Sequence, residues 1–181
     1  MDDRIKEAFL RSRSKDKQES YEAYLYILQT TGKQVDWAYE VWDDLLEGLR
    51  DKDNHQRSRS AQYLANLAKS DPEKRMLTDL PKLWEVTKDE KFVTARHSLQ
   101  AIWKVGLADD VLKGKVMSCM ADRFVNGRNE KNHTLIRFDI IQNMKHLYDQ
   151  LGDEGIRQTA LELIQTVEDE KYRKKYSRIW K

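Results

Sequence analysis

Apolar residues recur along this chain at intervals of three and four, the spacing that gathers them on one side of an α-helix. Ile5 and Phe9, one turn apart within residues 2–13, predict a short amphipathic helix. Over 17–30, Tyr21, Tyr24, Leu25 and Leu28 share a face, and Thr31-Gly32 ends the helix as a C-terminal glycine does. The segment 35–50 places Ala38, Val41, Trp42, Leu45 and Leu49 on one stripe and pairs with a helix over 53–69. Asp71-Pro72 reads as a cap and first turn opening a helix to about Lys88, anchored by Met76, Leu80, Leu83 and Trp84, with Pro81 expected to end or kink its first part.

The same spacing continues to the end of the chain. Residues 90–106 put Phe92, Ala95, Leu99, Ile102 and Trp103 on one face, and 110–126 turn Val116, Met117, Met120 and Phe124 inward. In 130–149, Leu135, Phe138 and Ile141 mark one side while Ile136, Ile140 and Leu147 mark nearly the opposite one, so this helix is expected to be buried. Helices over 154–168 and 169–180 follow, the last with Tyr172, Tyr176 and Ile179 inward. The fold class is all-α.

Residues 51–68 and 89–106 are degenerate copies at an offset of thirty-eight: Ser60 overlies Ser98, Gln62 overlies Gln100, and Leu64 overlies Ile102. The turn strings at 88–91 and 168–171 lie eighty residues apart, about two periods. Paired helices of this period, with acidic turns followed by an arginine-bearing helix, resemble the HEAT-like (armadillo-type) repeat family over residues 35–181. The resemblance implies an α-solenoid of about four helix pairs, with residues 1–32 as an N-terminal helical cap, all in one domain. It also implies a ladder of turn carboxylates and arginines six residues apart. Asp53 to Arg59, Asp51 to Arg57 and Glu90 to Arg96 have that spacing, and Glu130 to Arg137 is one residue longer.

Composition agrees with helices and excludes several functions. Two prolines and seven glycines in 181 residues are too few to punctuate a sandwich or barrel. Thirty-three basic against thirty-one acidic residues is not the balance of an obligate nucleic-acid binder. No apolar run is long enough for a membrane span or a secretory signal, which points to a cytoplasmic protein. The one cysteine, Cys119, rules out an intrachain disulfide and is expected to pack between helices. No histidine has the spacing of a metal motif, and there is no nucleophile elbow or phosphate loop, so neither metal nor cofactor is expected.

What remains is a binding surface. The leading expectation is a non-enzymatic module or scaffold that holds another protein on the concave face of the stack, lined by the solvent side of its second helices, at Arg59, Tyr63, Asn66, His97, Gln100, Lys104, Asp139, Asn143 and His146. The alternative is nucleic-acid binding through Trp42, Asp43, Arg57, Arg96 and Arg137. Among HEAT-like folds, alkylpurine DNA glycosylases use tryptophans and a catalytic aspartate, and Trp42 and Asp43 are similar in residue type. The basic and aromatic residues of 171–181 are expected to form the last helix, whose uncapped end offers a homodimer contact if the chain is not a monomer.

Overall fold

In the computed structural model, which describes residues 1–181, the chain forms ten α-helices and no strand. They are α1 (Asp3–Arg11), α2 (Lys17–Thr31), α3 (Ala38–Gly48), α4 (Asn54–Leu67), α5 (Met76–Val86), α6 (Phe92–Ala101), α7 (Asp110–Asn126), α8 (His133–Leu151), α9 (Glu154–Gln165) and α10 (Glu170–Ser177). Aspartates start many of them: Asp2, Asp16, Asp53, Asp109, Asp153 and Asp169 each accept a hydrogen bond from an otherwise orphaned first-turn amide. No helix is long and apolar enough to cross a membrane. The helices gather into two compact units, residues 1–101 and 102–181.

The first unit is three helix hairpins, α1/α2, α3/α4 and α5/α6. The second helices lie side by side, with α4 between α2 and α6, while α3 packs on α5 behind them. Small side chains let the layers close: a Cβ at Gly48 of α3 would stand 2.2 Å from Ser60 Oγ of α4. Trp42, Leu64, Leu67, Met76, Leu83 and Leu99 fill the interior at 1% exposure or less. Trp42 carries its polar end with it, donating Nε1–H to Asp79 Oδ2 at 3.0 Å, and Lys82 Nζ donates to the other carboxylate oxygen at 2.8 Å.

Several expected details differ. On α2 the buried face is Ser20, Ala23, Ile27 and Thr31, whereas Tyr21 and Leu25 are 52% and 46% exposed. The close seam selects small and hydroxyl residues: Ser20 Oγ donates to Ser12 O at 2.8 Å and Thr31 Oγ1 to Ile27 O at 2.7 Å, so neither is left unpaired. The helix expected from Pro72 begins at Met76, although Asp71 does cap it, accepting from the amides of Arg75 and Met76 at 2.9 and 2.7 Å. Pro81 does not end α5, which continues through it to Val86 with the proline on the exposed side. Phe92 is half-buried rather than core.

In the second unit a 3-10 turn at Ile102–Leu107 packs on α7 and α8, so the helix expected to reach 106 changes pitch after Ala101. Gly106 fits here because a Cβ would meet Leu147 Cδ2 at 3.1 Å. Hairpins α7/α8 and α9/α10 follow, with α9 on α7 and α10 on α8. As expected, α8 is buried over a broad arc, including Ile136, Ile140, Ile141, Met144 and Leu147. Tyr176 of α10 is fully buried and donates its hydroxyl to Thr134 O at 2.8 Å, while Tyr172 and Ile179 are half-buried. Trp103 is half-buried too, its ring 5.2 Å from that of His146.

Candidate functional site

Arg57 pairs with a different carboxylate from the one expected. Arg57 of α4 reaches past its own turn to Asp89, which precedes α6, with Nε 2.6 Å from Oδ2 and Nη2 2.9 Å from Oδ1. Its Nη1 meanwhile donates to the carbonyls of Asp51 and Lys52 at 2.8 and 3.2 Å. One guanidinium thus ties together the turns of two consecutive hairpins, in the bidentate geometry that suits it. Burial works against the Asp89 carboxylate, but the Arg57 hydrogen bonds and charge and the Lys91 amide together hold its pKa below the usual range.

Two of the other expected pairs, Asp53–Arg59 and Glu130–Arg137, are replaced. Arg59 does not meet Asp53; its Nη1 donates to Ser12 O at 2.5 Å and Ser20 Oγ at 2.6 Å, with its guanidinium 5.2 Å from the centre of the Tyr24 ring. Glu130 takes Arg123 instead of Arg137. Arg137 is buried, donates Nε to Phe124 O at 2.8 Å and lies over the Phe124 ring, where burial and the charge of Arg128 lower its pKa.

Of the residues expected on the solvent side in the first unit, His97 and Gln100 are exposed on α6 and Arg59 is half-buried. Tyr63 and Asn66 are not on that side: they are 2% and 1% exposed. A helix flanked on both sides has two buried seams. Both residues lie in the seam with the α1/α2 hairpin, where Tyr63 packs on Phe9 and Tyr24 and Asn66 Nδ2 donates to Thr31 Oγ1 at 3.0 Å. In the second unit Lys104 and His146 are half-buried, while Asp139 and Asn143 are 2% and 1% exposed, on the broad buried arc of α8 rather than in solvent.

Within the alternative set, Trp42 and Arg137 are buried in the fold, whereas Asp43 is exposed. Trp42 is 0% exposed and has no open face for a base, and Asp43 is ion-paired with Arg75. Arg57 is committed to Asp89, and Arg96 is half-buried on α6. No three His, Cys, Asp or Glu side chains are grouped to hold a metal ion.

What the first unit does expose is a row across its second helices: Tyr21 and Leu25 on α2, His55 on α4, and Val93, His97 and Gln100 on α6. Between them, Arg59 and Gln62 are half-buried and fixed, because Tyr24 donates its hydroxyl to Gln62 Oε1 at 2.8 Å beneath the Arg59 guanidinium. Burial raises the Tyr24 pKa in spite of Gln62 and Arg59, so this hydroxyl stays a donor at neutral pH. The sequence puts Tyr21 and Leu25 on one apolar face with Tyr24 and Leu28; the signal that separates them is the series Ser20, Ala23, Ile27, Thr31, mostly small or hydroxyl-bearing, on the other side of the helix. No protein-family model, curated protein or solved structure matches the chain.

Proposed function

We propose that the protein is a non-enzymatic interaction module of the HEAT-like helical-repeat kind, which holds another protein against the outer side of α2, α4 and α6. The observation that carries this reading is the row of exposed side chains on three adjacent helices, with the apolar Tyr21, Leu25 and Val93 set among His55, His97 and Gln100. Large exposed apolar residues beside a polar rim have the composition of a contact surface. The repeat reading is supported by the side-by-side second helices and by the Arg57–Asp89 bridge between consecutive turns.

Tyr21 and Leu25 act as the anchors, since an aromatic ring and an aliphatic chain already half in water lose little freedom and bury much area on contact. Arg59 and Gln62 supply oriented hydrogen-bonding groups whose positions are fixed before the partner arrives, which lowers the ordering cost of binding. The test is the affinity of a partner captured with the intact chain, measured by calorimetry against Leu25→Glu and His97→Glu. Each is expected to weaken binding by about tenfold or more, the loss of about 1.4 kcal/mol that one good contact supplies. Glu85→Lys, on the exposed side of α5, is expected to leave it unchanged. Equal affinity for all three variants removes the proposed face.

A further inference from the structure

The last helix of the second unit repeats much of the local construction of α4. Asp53 and Asp169 each cap their helix by accepting from the amide two residues on, at 2.9 Å in both. Four residues after each stands an arginine, whose amide donates back to the aspartate carbonyl at 3.1 Å for Arg57 and 2.9 Å for Arg173. Each guanidinium then sends Nη1 to the carbonyl six residues before it, Asp51 O at 2.8 Å and Val167 O at 3.4 Å. Arg57 is completed by the two oxygens of Asp89, whereas no carboxylate reaches Arg173.

We infer that the free side of α9 and α10 binds a carboxylate-bearing helix turn of another protein, with Arg173 as the receiving guanidinium. Arg57 shows within the same chain what completes this arrangement: an aspartate in the turn before a helix, taken by both arms of the fork. A planar fork fixed by its own turn carbonyl is preorganised for that geometry, which the point charge of a lysine does not reproduce. The surroundings favour an acidic partner, since residues 169–181 hold six basic side chains against two acidic ones. Lys171, Lys174, Lys175 and Arg178 are exposed on the same short segment, with Lys174 paired to Glu170, and Arg173 is half-buried. On α9, Leu161 is 36% exposed in a shallow groove that also holds Arg157, Glu154 and Glu162. The concentration of positive charge opposes twofold pairing of this face with itself, and the occupant is a turn of another protein. The inference does not rest on the α2–α4–α6 face and stands or falls apart from it.

The probe is a synthetic peptide of residues 86–101 of this chain, the turn and helix that complete Arg57, titrated into the full-length ¹⁵N-labelled protein. The Arg173 side-chain Nε–H signal and the amides of 170–177 are expected to shift and saturate, and the Asp89→Asn peptide to leave them in place. Arg173→Gln is expected to weaken binding about tenfold and Arg173→Lys to restore it only in part, while Lys175→Gln stays within about twofold. Thermal melts of the variants matching wild type exclude loss of fold as the cause. The proposal is overturned if the Asp89→Asn peptide binds equally, or if Lys175→Gln costs as much as Arg173→Gln. It is also overturned if a short oligothymidylate displaces the peptide at lower concentration, or if sedimentation shows Arg173-dependent self-association.

Discussion

Arg57 holds Asp89 across the seam between α4 and α6 with two short hydrogen bonds, 2.6 and 2.9 Å, and both side chains are largely withdrawn from water. A pair in that position is costly to half-remove, because the surviving charge stays desolvated. Arg57→Gln or Asp89→Asn is expected to destabilise the first unit by about 2–3 kcal/mol in urea melts, against less than about 0.5 kcal/mol for the exposed Lys174–Glu170 pair. Because the folded state depresses the Asp89 pKa, its contribution is complete above the unfolded value of 3.8 and is lost as pH falls through the lower folded one. Wild type should therefore lose stability on acidification more steeply than Asp89→Asn.

The Tyr63 hydroxyl is buried with no hydrogen-bond partner, and its desolvation drives the Tyr63 pKa sharply upward. Removing an unsatisfied group takes away a penalty and leaves the ring contacts with Phe9 and Tyr24 intact. Tyr63→Phe is expected to raise stability by about 1 kcal/mol, whereas Tyr24→Phe, which loses the Gln62 bond, lowers it by a similar amount. Chemical denaturation of the two variants side by side checks the sign.

Gly48 exists for the approach of α3 to α4. A methyl group there would lie 2.2 Å from Ser60 Oγ and 3.1 Å from its Cβ, so Gly48→Ala is expected to cost about 1–2 kcal/mol despite alanine's better helix propensity. Adding Ser60→Ala removes the nearer atom and should recover most of the loss. A double-mutant cycle with no coupling between the two positions contradicts this.

Helices α3 and α2 show what was legible in the sequence. The stripe of α3 was readable because its buried face is large and apolar, and Val41, Trp42 and Leu45 are all buried as the spacing requires. That of α2 was not, because a tight seam chose Ser20, Ala23 and Thr31 and left Tyr21 outside. The acidic turns and the arginines were visible, but nearness along the chain pointed each arginine to its own turn, whereas Arg57 finds its carboxylate thirty-two residues on. Tyr63 and Asn66 were expected in solvent because a helix flanked on two sides still has polar residues at amphipathic spacing.

His146 packs its ring on Trp103 in the second unit, and burial lowers its pKa, with Lys145 and Lys104 assisting and Asp149 opposing. A depressed folded-state value for a base means the contribution is complete above the unfolded pKa of 6.5 and declines as pH falls below it, since the unfolded chain takes the proton first. Melting temperatures measured from pH 8 to pH 5.5 should fall more for wild type than for His146→Gln, and Trp103 emission should change over the same range only in wild type.

The account stands most directly on which side of the first unit meets a partner. A photoreactive phenylalanine analogue placed at Leu25, at His97 or at Glu85, followed by irradiation in extract and recovery of covalent adducts, reads that side. The account predicts that positions 25 and 97 capture the same protein while position 85 does not; capture from 85 alone, or equally from all three, contradicts it.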